Sequence, residues 1–153
     1  MKSLSVVTFA VTLAACVWST TASAADIAPF VSDGCSSFPD GTPTNQSLWL
    51  ECCVRHDLAY WRGGTYQERI DADLALEECV AGAGEPQIAQ LMLQGVRTGG
   101  SPYFLTTYRW GYGWPFGRGY QALTRDELAQ VAKRLESLET TLREARESLL
   151  RKN

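Results

Sequence analysis

What this chain has little of narrows its chemistry first. Of 153 residues only one is histidine, so a multi-histidine zinc site is excluded. Basic residues are also in short supply: 14 Lys and Arg face 17 Asp and Glu, and this mild acidity argues against nucleic acid as the partner. No internal repeat is present, which removes repeat architectures, and no stretch alternates apolar and polar residues long enough to signal a strand. The one long apolar run, Leu4 to Trp18, is too short for a membrane span. The remaining composition is that of one ordinary globular domain with a modest core.

The amino terminus reads as an export signal. Lys2 precedes the apolar run, and Ala22-Ser23-Ala24 supplies an A-x-A cleavage site, so residues 1–24 form a signal peptide. Leu13-Ala14-Ala15-Cys16 also matches a lipoprotein cleavage box, in which case the signal is 1–15 and Cys16 carries the lipid anchor. Both readings predict a secreted or periplasmic protein and keep Cys16 out of the folded domain. Cys35, Cys52, Cys53 and Cys79 then remain, an even number that implies two disulfides in an oxidising compartment.

The following stretch, 25–123, reads as the main domain. Asp33–Thr44 is a loop rich in Gly, Pro, Asp and Ser. A helix is expected from about Asn45 to Arg62, stopped by Gly63-Gly64. Thr65 with Glu68 forms a capping box that opens a second helix running to about Ala81, antiparallel to the first. Pro86–Arg97 reads as a third helix with Ile88, Leu91, Met92 and Val96 on one side, and Pro102 could begin a short fourth. Eight aromatic residues lie between Tyr103 and Tyr120, with Trp110, Trp114 and Phe116 spaced by glycines. That stretch reads either as a surface for lipid head groups and acyl chains or as a packed cover over the helices.

Residues 124–153 form a long helix with its own capping box, Thr124 and Glu127. Leu128, Val131, Leu135, Leu138, Leu142, Ala145 and Leu149 make a heptad seam, in which Arg134 can pair with Glu139 of a parallel copy. The seam predicts a homo-oligomer or a partner helix, with folding back onto the domain as the other reading. The fold class is mostly α: a small disulfide-linked core of antiparallel helices followed by this coiled-coil-like helix.

The chemistry concentrates in Cys52–Tyr60, CCVRHDLAY. Cys52, His56 and Tyr60 share one helix face at i, i+4 and i+8, while Asp57 turns towards the preceding loop. A Cys52–Cys53 bond within a helix is strained, so one of the pair reaches Cys35 and the other Cys79. Were Cys52 the partner of Cys79, His56 would lie ~6 Å beyond the bridge and Asp73 ~9 Å in the same direction along the antiparallel helix. Asp71 competes with Asp73 for that place.

The pattern CC-x-x-HD-x-x-Y has a loop cysteine before it and an aspartate six residues ahead of a later cysteine. It resembles the secreted phospholipase A2 superfamily over Gly34–Cys79, about a third of the chain. The resemblance implies the pairs Cys52–Cys79 and Cys35–Cys53. It makes His56 the general base, Asp73 the group that orients it and Tyr60 a member of the same network. It also implies calcium, held by Asp57 and the carbonyls of Gly34, Ser36 and Phe38. The implied activity is hydrolysis of the sn-2 ester of glycerophospholipids at a phospholipid membrane surface. The alternative is a catalytically silent relative that binds lipid or a partner.

Two departures from the family pattern stand out. The loop GCSSFPDG has fewer glycines than the family's metal loop, and Asp40 within it reads as a turn residue or as a substitute ligand. Little chain precedes that loop once the signal is removed. The helix that lines the substrate channel in many members is therefore missing or replaced, and acyl-chain contacts must come from elsewhere.

Overall fold

The computed structural model describes residues 26–151; the signal sequence and Cys16 lie outside the described residues. Four helices follow in order: α1 (Leu50–Arg62), α2 (Tyr66–Gly82), α3 (Pro86–Gly99) and α4 (Arg125–Leu150). Among the described residues there is no strand, only an isolated bridge between Thr42 and Asn45. No described helix is long and apolar enough to cross a membrane. The disulfides are Cys35–Cys53 and Cys52–Cys79, the first joining the loop to α1 and the second joining α1 to α2.

Both capping boxes form as their sequences predict. Thr65 Oγ1 accepts from Glu68 N–H, and Glu68 Oε2 accepts from Thr65 N–H in return; Thr124 and Glu127 repeat the exchange. Glu127 is further held by Arg118, whose Nε and Nη2 stand 3.1 Å from its two oxygens. The Arg118 hydrogen bonds hold the Glu127 carboxyl below the ordinary glutamate value of 4.5. A lowered folded-state pKa stabilises the fold above the unfolded value, and that contribution is lost as pH falls through the folded one. Glu127→Gln is expected to cost about 1 kcal/mol at neutral pH, and its stability should fall less steeply than the wild type's below pH 4.5. Urea midpoints across that range read both effects.

Three helix expectations are corrected. Helix α1 begins at Leu50, not Asn45, because Asn45 is caught in a turn. Its carbonyl accepts from Thr42 N and Leu48 N, its N–H bonds Thr42, and Trp49 N is held by Asp40 O. Helix α3 runs two residues beyond Arg97. No helix begins at Pro102, where Ser101 O and Phe104 N close a turn instead.

The core has two parts. Trp49, Cys52, Cys53, Leu76, Val80, Ala89 and Met92 pack α1, α2 and α3 together around the disulfides. On the other side of α1, Ile27, Trp61, Trp114 and Val131 join the amino-terminal segment, the aromatic stretch and α4. Much of the aromatic stretch is therefore a packed cover. It also completes the end of α1, whose last carbonyls have no helical donor. Gly111 N–H bonds Tyr60 O at 2.7 Å, Gly113 N–H bonds Trp61 O at 3.1 Å and Trp114 Nε1 bonds Arg62 O at 2.7 Å. The chains approach so closely that a Cβ on Gly63, at φ +67°, would sit 2.8 Å from Gly111 Cα. Only glycine suits that position.

The start of α4 folds back on the domain. Val131 is buried and Leu135 packs beside it. Gln130 Oε1 accepts from Ile27 N–H, and Arg134 Nε donates to Ile27 O at 3.0 Å, so both side chains tie α4 to the amino-terminal segment. Beyond Leu138 the seam is open: Leu142 and Leu149 are exposed.

Candidate active site

The Cys52–Cys79 bridge sets α1 against α2 so that His56, Tyr60 and Asp73 meet. Asp73 is 0% exposed. Its Oδ1 accepts from Tyr60 Oη at 2.7 Å and stands 3.0 Å from His56 Nε2. A carboxylate can only accept, so His56 donates from Nε2, and in the neutral ring the lone pair then lies on Nδ1. Burial foremost, with the Asp73 charge next, pushes the Tyr60 phenol far above its usual range, so it remains a donor. The His56 and Tyr60 rings lie 4.2 Å apart, and Trp110 backs Tyr60 edge-on at 5.0 Å. Asp71 is exposed and bonded to Gln67, away from this array.

Two arginines not expected from the motif hold the other oxygen of Asp73. Arg97 Nε is 2.9 Å from Oδ2, although its N–H is not aimed at the oxygen, so the contact is a close charge pair and not a hydrogen bond. Arg69 Nε lies 3.8 Å from Oδ2 and donates to Tyr60 Oη at 3.1 Å. Arg69 is fixed in turn by Tyr120 Oη and by the carbonyls of Val96 and Arg97 at the end of α3. A carboxylate removed from water in this way needs such partners, since an unpaired buried charge costs several kcal/mol. Arg69 had a local signal, i and i+4 with Asp73 on α2; Arg97 arrives from another helix and had none.

His56 opens onto a cavity of about 380 Å³ that Asp57 and the loop Gly34–Phe38 also line. The Cys35–Cys53 bridge seats this loop beside α1. Inside the loop, Asp40 Oδ1 accepts from Cys35 N at 2.8 Å, so Asp40 braces the turn, and it is not among the residues that line the cavity. Gly34 has φ +79°, and a Cβ there would collide with the Asp40 carboxylate. Phe38-Pro39 is accommodated because Phe38 N bonds Cys35 O and Pro39 O accepts from Trp49 Nε1.

The donors expected to hold calcium fit a hard divalent cation, which prefers oxygen. Among the described residues the carbonyls of Gly34, Ser36 and Phe38 accept no hydrogen bond, and Asp57 forms no ion pair. Asp57 gives one oxygen to Ser32 Oγ at 2.6 Å and keeps the other. Burial foremost raises its pKa above the ordinary aspartate value; Asp33 adds repulsion, while Ser32 and His56 oppose the rise. A positive ion would relieve that cost. Ser32 and Asp33 border this position and were not singled out by the motif.

The other walls are apolar and come from α3. The expected seam of Ile88, Leu91, Met92 and Val96 divides. Ala89 and Met92 are buried in the core with Ile88 and Val96 packed against them, whereas Leu91 is 53% exposed on the cavity side. Tyr108 lines the cavity from the aromatic stretch. Between Gly100 and Tyr108, both of which line the cavity, the chain exposes Tyr103, Phe104 and Leu105, the last to 85%. The two readings of the aromatic stretch thus apply to different residues: Trp110 and Trp114 are buried, and the 103–108 turn is an exposed apolar rim. One cavity thus brings together His56 with its bond to Asp73, the oxygens of Asp57 and the Gly34–Phe38 loop, and the apolar side of α3. No family model, curated protein or solved structure matches this chain.

Proposed function

We propose that the protein is a phospholipase A2-like hydrolase that cleaves the sn-2 ester of glycerophospholipids in a calcium-dependent reaction. The observation that carries the reading is the His56–Asp73 hydrogen bond at the wall of the same cavity that Asp57, the loop and the apolar face of α3 enclose. Asp57 with the carbonyls of Gly34, Ser36 and Phe38 would hold calcium, which when bound supplies a Lewis acid for the ester carbonyl and its developing negative charge. His56 Nδ1 takes a proton from water as the water oxygen bonds to the carbonyl carbon. Asp73 holds the other ring nitrogen and stabilises the imidazolium that forms. When the ester C–O bond breaks, the same Nδ1 returns the proton to the departing alcohol. Tyr60, Arg69 and Arg97 keep Asp73 in place throughout. Leu91, Met92 and Val96 accept the acyl chain, and the exposed 103–108 rim meets the phospholipid surface.

The test is fatty-acid release from phosphatidylcholine vesicles with calcium and with chelator. Release that needs calcium supports the reading; equal release in chelator refutes it. The Ser32 hydrogen bond to Asp57 favours a second reading, a silent lipid-binding module whose metal carboxylate is already engaged. A folded protein that takes up no calcium by calorimetry and releases no fatty acid would select that one. The reading also assigns the seam beyond Leu138 to a second copy of the chain, because Leu142, Ala145 and Leu149 keep heptad spacing there without a partner among the described residues. Truncation after Glu139, which spares Gln130, Arg134 and Leu135, should leave hydrolysis intact and lower the number of chains per particle read by light scattering. An unchanged number of chains would exclude self-association through this seam.

A further inference from the structure

On α3, Leu91, Gly95 and Gly99 recur every four residues, share one helix face and all line the cavity. Leu91 puts a side chain there, and a Cβ on Gly99 would touch Tyr108 Cε2 at 3.6 Å. Gly95 differs from both. Its backbone is ordinary right-handed helix, so its conformation does not call for glycine, and a Cβ built on it meets no atom within 4 Å. Glycine is among the poorest residues for a helix interior, where it loses the most chain entropy on folding. Neither backbone geometry nor close packing accounts for it here. What the missing side chain does is leave open the space between Leu91 and Gly99, at the exposed rim of the cavity.

We propose that Gly95 sets the length of acyl chain the cavity admits. A chain whose ester lies at His56 runs along α3 past Met92 and Val96 and leaves over Gly95, where nothing stops it. A large side chain at 95 closes that exit, so long acyl groups lose their path while short ones, ending before it, keep theirs. This inference rests on the acyl-ester reading of the site.

The experiment compares phosphatidylcholines bearing octanoyl or palmitoyl at sn-2, both dispersed in the same detergent micelles so that the interface is constant. Gly95→Phe is expected to lower the palmitoyl-to-octanoyl ratio of kcat/KM at least about tenfold, the scale on which pocket shape discriminates methylenes. Gly95→Ala, the control for a purely helical role, should leave the ratio unchanged and raise the melting temperature. A parallel fall for both substrates in Gly95→Phe overturns the proposal. If the wild type hydrolyses neither substrate, the hydrolytic reading fails by itself, and calorimetric binding of octanoate and palmitate decides the acyl path. Selective loss of palmitate binding in Gly95→Phe sustains it; equal loss, or no binding of either by the wild type, overturns it.

Discussion

Replacing His56 with glutamine is expected to lower turnover of phosphatidylcholine by about a thousandfold or more while leaving the fold intact. The magnitude follows from the two roles the proposed mechanism gives the imidazole, taking a proton from water and returning it to the leaving alcohol; general acid–base catalysis alone is worth about a hundredfold to ten-thousandfold. The fold should survive because glutamine also carries an N–H that can reach Asp73 Oδ1, so the buried carboxylate is not left unpaired. Asp73→Asn keeps the volume but removes the charge that faces Arg97 and Arg69 and stabilises the imidazolium. Its turnover should fall as well, with KM little changed, since Asp73 is buried behind His56 and does not line the cavity. Kinetics on one micellar substrate, with urea midpoints of each variant, read both effects. Full activity in His56→Gln would remove the base from the mechanism.

Removing the Cys52–Cys79 bridge, as the double variant Cys52→Ala with Cys79→Ala, is expected to be the largest stability change. The bridge closes a segment with a sequence separation of 27, for which chain entropy alone predicts about 3–4 kcal/mol. For a domain with this small a core, that is a large part of the usual margin of about 5–15 kcal/mol. The Cys35–Cys53 bridge, with a separation of 18, should be worth about 3 kcal/mol. The two losses should differ in kind. The first loosens α1 against α2, and with it the 3.0 Å contact of His56 with Asp73, so turnover falls even in calcium-saturated protein. The second frees the loop that carries Gly34, Ser36 and Phe38, so it should raise the calcium concentration needed for half-maximal turnover. Urea unfolding and a calcium titration of each double variant separate them; indistinguishable profiles would refute the division of labour.

Much of this architecture was legible because the signals are local. A capping box lies within four residues, and both formed. The pairing of Asp73 with His56 was within reach because one bridge and two helical rises specify it. Where legibility failed, an interaction linked distant segments. Helix α1 starts five residues after the expected Asn45, because the groups of Asn45 are drawn into a turn with Thr42. The heptad of α4 is regular along its whole length, and nothing in its spacing marks where the helix leaves the domain. Ile27 decides that, more than a hundred residues away, through Gln130 and Arg134.

By itself the sequence determined the helical class, the candidate base, its carboxylate and the cysteines available to brace them, because each depends on spacing along one or two helices. Only the tertiary structure decided what surrounds that array. It brought Arg97 from α3 to Asp73, closed the end of α1 with the backbone and indoles of the aromatic stretch, and turned Leu91 from a member of an apparent core seam into a cavity wall beside Gly95. The reason is physical. Helix propensity and capping act over a few residues, whereas the burial of a charge, the capping of a last carbonyl and the opening of a cleft depend on which surfaces meet.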